Sequence, residues 1–397
     1  MNKSNPPKKL FVMLSRIPFP FEKGDKLRAY HQIKLLAEYY EIYLCAISDS
    51  NSIHNDAKQA LSPYCKEINF IHVSWWQKVL GVCQAFFSGN PLQVGLFYNF
   101  LAKKKVDKWV RIVNPDFVFV QLLRVAPYFQ STDIPKVLDF QDALSMGVFR
   151  QIKSINFFLK PIYYLEYQLL NCYEKRLLED FSHTSIISSV DQKWIDPENR
   201  HEIQLVLNGV DFGYYQPIDC EKDITLLFTG NMGYLPNVDA AEFLINQIMP
   251  LVWKQFPMAK VAIAGANPHS RVKSLASEKV LVTGFVQDLR DFYSRSQIFI
   301  APMRLGSGLQ NKLLEAMAMK IPSITTTLAN NALNGTQNVN IMICDSPKEF
   351  ADTISKLLSD ESLREAISTA ALAFVQTNYN WKEQVSKLHQ LIEKSYE

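Results

Sequence analysis

FIAPMRLGSGLQNKLLEAMAMKIPSIT, residues 299–325, decides how this chain is read. Phe299 to Pro302 has the character of a buried strand. Gly306, Ser307 and Gly308 make a glycine turn. Behind it Leu309, Leu313, Ala316 and Met317 recur at helical spacing, and a second short strand follows Pro322. A strand that delivers a glycine turn to a helix start aims backbone N–H groups and the positive end of the helix dipole at one point. That combination binds anions. Arg304 and Lys312 flank the turn and add full positive charge. Glu315 lies about two helical turns beyond Gly308, where a carboxylate accepts hydrogen bonds from sugar hydroxyls. A phosphate at the turn and a ribose at the carboxylate describe a nucleoside diphosphate. The glycines and leucines alone would equally suit an ordinary strand–turn–helix; the three charged residues favour a site.

Outward from this stretch, short apolar runs alternate with helical patterns along the whole chain. Strands are predicted at residues 10–14, 42–47, 68–73, 117–121, 137–140, 185–188 and 204–207 in the first half. In the second half they are predicted at 225–229, 260–264, 280–283, 298–301, 323–326 and 340–343. Short buried strands separated by helices imply parallel sheets covered on both faces. Two such series predict an α/β protein of two Rossmann-like domains, residues 1–217 and 218–379. The polar stretch QPIDCEKD, residues 216–223, marks the break. Ligands of such sheets sit at the carboxyl ends of the strands, which puts the expected site in a cleft between the domains.

The chain has 397 residues, 48% of them hydrophobic, enough for two full cores. A net charge of +3 does not suggest nucleic acid. Six cysteines (Cys45, Cys65, Cys83, Cys172, Cys220 and Cys344) show no Cys-x-x-Cys pair, and most stand in apolar runs. They read as reduced, buried thiols of a cytoplasmic protein. The seven histidines show no metal spacing, so no metal is expected. The N-terminus lacks the features of a signal peptide, and no run reaches the length of a membrane span.

Two further strand–loop–helix segments stand out. In EKGDKLRAYHQ, residues 22–32, Gly24 allows a tight turn and Asp25 can cap the following helix. In LLFTGNMGYLPNVDAAEFL, residues 226–244, Gly230 and Asn231 follow a strand. With residues 299–325 these stretches resemble the family 4 glycosyltransferases, which have the two-domain GT-B fold. The resemblance extends through VLDFQDALSMG (137–147), SIISSVDQKWI (185–195) and VLNGVDFGYYQP (206–217). It implies an N-terminal acceptor domain, a C-terminal nucleotide-sugar domain and a last helix, residues 380–397, that returns to the first domain. It also implies sugar transfer from a nucleotide sugar to a glycan or lipid-linked acceptor, with retention at the anomeric carbon, in cell-surface polysaccharide or glycoconjugate synthesis. The donor is then a substrate, and no cofactor is expected.

The resemblance distributes roles among residues. Glu315 would hold the ribose. Gly306, Ser307, Gly308, Leu309, Gly230, Asn231 and Gly24 would contact the donor. Lys26 and Arg28 would face the cleft or the acceptor. Arg304 and Lys312 would stabilise the leaving diphosphate, and Asp142 would orient or deprotonate an acceptor hydroxyl, helix capping being its other reading. The family's first glutamate falls at Ser307, and its loop cations fall at Asn231 and Asn237. A nucleotide-sugar epimerase of the same architecture and a non-catalytic nucleotide-binding relative are the alternatives. Two aromatic segments with scattered bases, residues 73–105 and 150–170, suit a peripheral contact with the inner face of a plasma membrane. Packing is the other reading of Trp75, Phe86, Phe157 and Tyr163.

Overall fold

The computed structural model describes residues 7–20, 24–48, 54–152, 155–181, 183–306 and 308–396. The chain divides into two compact units, residues 1–207 with 382–397, and residues 208–381. The division falls at Leu207 rather than near residue 217. Val210 pairs with Asn380 and donates its N–H to Tyr379 O at 2.8 Å, which ties this segment to the second unit. The helix Trp381–Lys394 carries the chain back to the first unit.

The first unit contains β1 (Lys9–Leu14), β2 (Glu41–Ser48), β3 (Glu67–His72), β4 (Phe117–Gln121), β5 (Lys136–Asp139), β6 (His183–Ile186) and β7 (Ile203–Leu205). They form a parallel sheet in the order β3-β2-β1-β4-β5-β6-β7, with Val12 opposite both Leu44 and Phe119. Leu10 to Leu14 and Phe117 to Val120 are all buried, because helices cover both faces. One face carries Phe11, Met13, Val118 and Val120 against Val106 and Trp109 of the helix Phe100–Val113 and Tyr173 and Leu177 of the helix Lys160–Asp180. At the end of the chain Leu388 and Ile392 are buried, Tyr40 donates to Glu393 Oε1 at 2.8 Å, and the His389 ring stacks on Tyr39 with centroids 4.0 Å apart.

The second unit contains β8 (Ile224–Thr229), β9 (Val261–Ala264), β10 (Val280–Val282), β11 (Ser296–Ala301), β12 (Ser323–Thr325) and β13 (Met342–Ile343), parallel in the order β10-β9-β8-β11-β12-β13. In each sheet the order reverses next to the first strand of its unit, between β1 and β4 and between β8 and β11. The loops leaving those two strands diverge to opposite faces and open a crevice at their carboxyl ends.

The structure also corrects the readings of the cysteines and of Arg28. Cys45 and Cys344 are buried, but Cys83, Cys172 and Cys220 are exposed and Cys65 is half-buried. Arg28 is not a cleft contact. It is only 1% exposed, on the helix Gly24–Leu36, and its guanidinium grips Asp139 at the end of β5 through Nε (2.7 Å) and Nη2 (3.1 Å). Gln32 and Ser185 donate to the same carboxylate at 3.1 and 3.0 Å, and Arg28 Nη1 reaches Leu207 O at 3.2 Å. The pair thus fastens the helix, the sheet and the segment after β7 together. Removing one partner of a buried pair leaves an uncompensated charge and costs about 3–5 kcal/mol. Asp139→Ala should lower the stability of the first unit by that amount in a urea titration; an unchanged midpoint would show that the pair has no such weight.

Candidate functional site

In the second unit β8 ends at Thr229 and the chain turns at Gly230, whose φ is +152°. Gly265, just past β9, has φ +143°, and a Cβ there would lie 1.9 Å from Gly230 O. Only a residue without a side chain lets these two loops touch. Asn231 Oδ1 then accepts the Gly233 N–H at 3.0 Å, and the helix Leu235–Phe243 begins. Asn237, buried in its first turn, donates to Asn231 O at 2.9 Å and turns its Oδ1 inward.

Lys312 meets that oxygen. It sits on the helix Asn311–Ala318, after β11, with Nζ 2.6 Å from Asn237 Oδ1 and 4.7 Å from the Phe228 ring centroid. A Cβ on Gly230 would come within 3.1 Å of the same nitrogen. Loss of water pulls Lys312 down to about 7, against the opposing pull of Glu315. Glu315 follows on the same helix face. Tyr293 Oη donates to its Oε2 at 2.9 Å, and Tyr215 bonds to it as well. Desolvation pushes the Glu315 carboxyl up, while Tyr293, Tyr215 and Lys312 oppose the rise. Tyr293 Oη also lies 2.9 Å from Thr229 Oγ1. Its one proton goes to the carboxylate, so the threonine hydroxyl donates to it. Gly230, Asn231, Asn237, Lys312 and Glu315 thus meet at the carboxyl ends of β8 and β11, where the strand order reverses.

The remaining residues of the glycine turn behave differently. Gly306, with φ +81°, is exposed, and a Cβ on it would reach Pro236 at 3.8 Å, so the two loops run side by side. Ser307 lies outside the described residues. The helix starts at Asn311, not directly after Gly308; Gly308 and Leu309 belong to the loop, which Gln310 Nε2 holds by donating to Gly308 O at 2.9 Å. Arg304 corrects the expectation of a free cation. Its Nε and Nη2 donate to Asp239 at 3.1 and 2.7 Å, and the guanidinium lies over the Phe243 ring at 4.3 Å.

In the first unit Gly24 is exposed at the start of its helix, and Lys26 Nζ donates to Phe19 O at 3.1 Å. Asp142 stands exposed after β5, in a turn where Gln141 has φ +61°. Asp142 does not cap the following helix Leu144–Gln151. Glu174 accepts the Ser145 N–H there at 3.0 Å, and Asp191 accepts the Ala143 N–H at 3.2 Å. Ser188 in turn caps the helix Ser189–Ile195. Among the described residues no cluster of three or more His, Cys, Asp or Glu side chains is placed to hold a metal, and no helix is long and apolar enough to cross a membrane.

The sequence reading did not place Asn237, Tyr293, Tyr215 and Thr229 beside Lys312 and Glu315. Asn237 was visible only as a position lacking a cation. The tyrosines carry no local signal, since a tyrosine in a helix or loop ordinarily packs.

Residues 223–360 match the family described as Glycosyl transferases group 1. Over 96% of its length the chain is 22% identical to an uncharacterized 44.6 kDa protein in the cps region of Klebsiella pneumoniae, covering 98% of that protein. It is 29% identical to the capsular polysaccharide biosynthesis glycosyltransferase CapM of Staphylococcus aureus, over 29% of this chain and 32% of CapM. The structure of Anabaena HepE in complex with UDP and glucose superposes with a TM-score of 0.68 at 13% identity, covering 96% of this chain and 99% of that one. The chain is a glycosyltransferase of GT-B architecture.

The contact between Gly230 and Gly265 gives a direct test of the loop geometry. Gly265→Ala should destabilise the second unit by about 2–3 kcal/mol, since both the φ and the clash with Gly230 O oppose a side chain. Thermal unfolding measures this, and a wild-type midpoint would contradict the packing.

Proposed function

We propose that this protein transfers a sugar from a nucleotide-sugar donor to a glycan or lipid-linked acceptor in cell-surface polysaccharide synthesis, with retention at the anomeric carbon. The observation that carries the reading is Lys312 and Glu315 side by side at the crevice between β8 and β11, with Gly230 leaving room beside the lysine. CapM, by its name, acts in capsular polysaccharide biosynthesis, and HepE is seen with UDP and glucose; both support it.

In this reading Glu315 accepts hydrogen bonds from the donor ribose, in a position kept by Tyr293. The diphosphate lies over Gly230 and Asn231 and beside Gly306, Gly308 and Leu309. As the glycosidic bond breaks, negative charge grows on the leaving diphosphate, and a preplaced ammonium lowers the barrier. Lys312 supplies it. Its hydrogen-bond partner Asn237 offers a neutral oxygen rather than a carboxylate, and a bound diphosphate favours the charged form of the amine. Arg304 contributes only if the diphosphate draws it from Asp239, and it ranks behind Lys312. Gly24 and Lys26 are left as contacts of the loop after β1, and Asp142 orients the acceptor hydroxyl. The reading includes no cofactor, the nucleotide sugar being a substrate.

The deciding experiment screens UDP-, GDP-, ADP-, CDP- and TDP-sugars for release of nucleoside diphosphate, with and without a lipid-linked glycan. Release above the rate of hydrolysis is expected with one donor class; none across the panel would favour a non-catalytic nucleotide binder. Glu315→Gln should weaken binding of the matching nucleoside diphosphate by about 1.5–3 kcal/mol, the worth of a charge-assisted hydrogen bond. Unchanged affinity in calorimetry would remove the ribose role.

Lys312 adds a pH signature. In the empty site it loses its proton near pH 7, while a bound diphosphate holds the proton on. Binding therefore takes up a proton above that pH, and affinity falls as pH rises from about 7 to 8.5, by up to about tenfold per unit. Lys312→Met should bind weakly at every pH and lose the slope; a slope that survives in this variant would assign it elsewhere.

A further inference from the structure

The first unit carries an outer surface that the transfer chemistry does not use. It is built from the helix Trp75–Phe87, the short helix Leu92–Gly95 and the segment that opens the helix Lys160–Asp180. Gly81 and Gly95 bring the first two together, since a Cβ on Gly81 would lie 2.1 Å from Gly95 O. Glu166 joins the third by accepting the N–H groups of Leu92 and Gln93 at 2.7 and 3.0 Å. Val94, Leu170 and Tyr173 turn inward to the core that contains Phe11 and Met13. The residues turned outward are also apolar. Trp75 is 78% exposed, Phe87 86%, Phe157 74% and Phe158 82%, and Phe86 and Ile162 are exposed with them. Connected helices that present this many large apolar side chains to water mark an interaction surface.

Charge indicates what covers it. Residues 74–106 contain Lys78, Lys104 and Lys105, besides Lys103, which pairs with Asp107 on the next turn, and residues 155–165 contain Lys160 and no acid. The whole chain is nearly balanced, with 42 basic against 39 acidic residues. A second copy of this chain would set these bases against their own kind. A surface of phosphate head groups over hydrocarbon complements both the aromatics and the lysines. Lys104 Nζ lies 4.3 Å from the Phe100 ring centroid, an apolar body beneath a charged tip.

We propose that this face docks on a bilayer containing anionic phospholipid, with the aromatic rings at head-group depth and the lysines over the phosphates. The face also borders the reacting end of its unit. Gln93 Oε1 accepts Arg124 Nη2 at 2.8 Å, and Arg124 follows β4 at the reversal of strand order. Docking thereby sets the carboxyl ends of the first sheet next to the lipid surface, where a lipid-linked acceptor would present its sugar. The binding itself requires neither turnover nor the donor assignment.

Co-sedimentation of the full chain with vesicles of phosphatidylcholine alone, or of phosphatidylcholine with phosphatidylglycerol, tests this. Wild type should pellet with the anionic vesicles and progressively less as salt is added. The triple variant Trp75→Ser/Phe87→Ser/Phe158→Ser should lose at least about tenfold in partitioning. Lys104→Gln and Lys160→Gln should lose about fivefold each. The triple variant and Lys104→Gln should keep the wild-type circular dichroism and thermal midpoint, because the altered side chains stand in solvent. Failure of wild type to pellet with anionic vesicles, or equal pelleting of the triple variant, would overturn the proposal. A wild-type dimer in sedimentation velocity that the triple variant dissociates, without vesicle binding, would assign the face to a second copy and overturn it too.

Discussion

Two parallel sheets covered by helices on both faces leave polar chemistry no place except the ends of their strands. Each sheet is a run of buried aliphatic and aromatic residues, from Leu10 to Leu14 and from Leu226 to Phe228. Hydrogen-bonding side chains therefore collect just beyond the last ladder bond, and they concentrate where the order of strands reverses. The first unit satisfies this constraint internally. Arg28, Gln32, Ser185 and the Gln141 N–H all converge on Asp139, so the carboxylate is saturated. The second unit does so only partly. Its lysine faces one amide oxygen, an aromatic ring and a thioether sulfur 3.9 Å away.

That contrast distinguishes cations that charge alone does not. Arg28, Arg304 and Lys312 all looked alike as cations near glycine turns. Two of them have bidentate carboxylate partners, and a guanidinium so held is electrostatically satisfied. Lys312 has none, and burial has weakened its hold on its proton. A side chain held in a state unfavourable to it is better placed to respond to a ligand than one already at rest.

The chain declared its architecture through hydrophobic runs, because a strand buried on both faces needs nothing but a continuous apolar stretch. Each predicted strand lies within a residue or two of an observed one. The placement of Lys312, Glu315 and Gly230 at strand ends followed from the same kind of local strand–turn–helix pattern. What escaped depended on distant partners. Arg28 is neutralised by Asp139, far along the chain, and Arg304 by Asp239, so neither pairing has a local mark. Tyr293 enters the site because β8 and β11 are neighbours, and Asn237 because its helix begins beside that of Lys312. The exposed aromatics were legible as composition, but only the packing of Gly81 on Gly95 and of Glu166 on Leu92 shows which sides turn outward.

The helix Trp381–Lys394 has a consequence for how the protein is made. Its residues from Lys382 complete the first unit, where Glu393 receives Tyr40 and His389 lies on Tyr39. A ribosome delivers residues 208–381 before that helix exists. The usual order, in which the N-terminal domain finishes first, is therefore inverted. The second unit is complete while the first still lacks the element that covers Tyr40 and Phe117, whose ring packs edge-on against Tyr396.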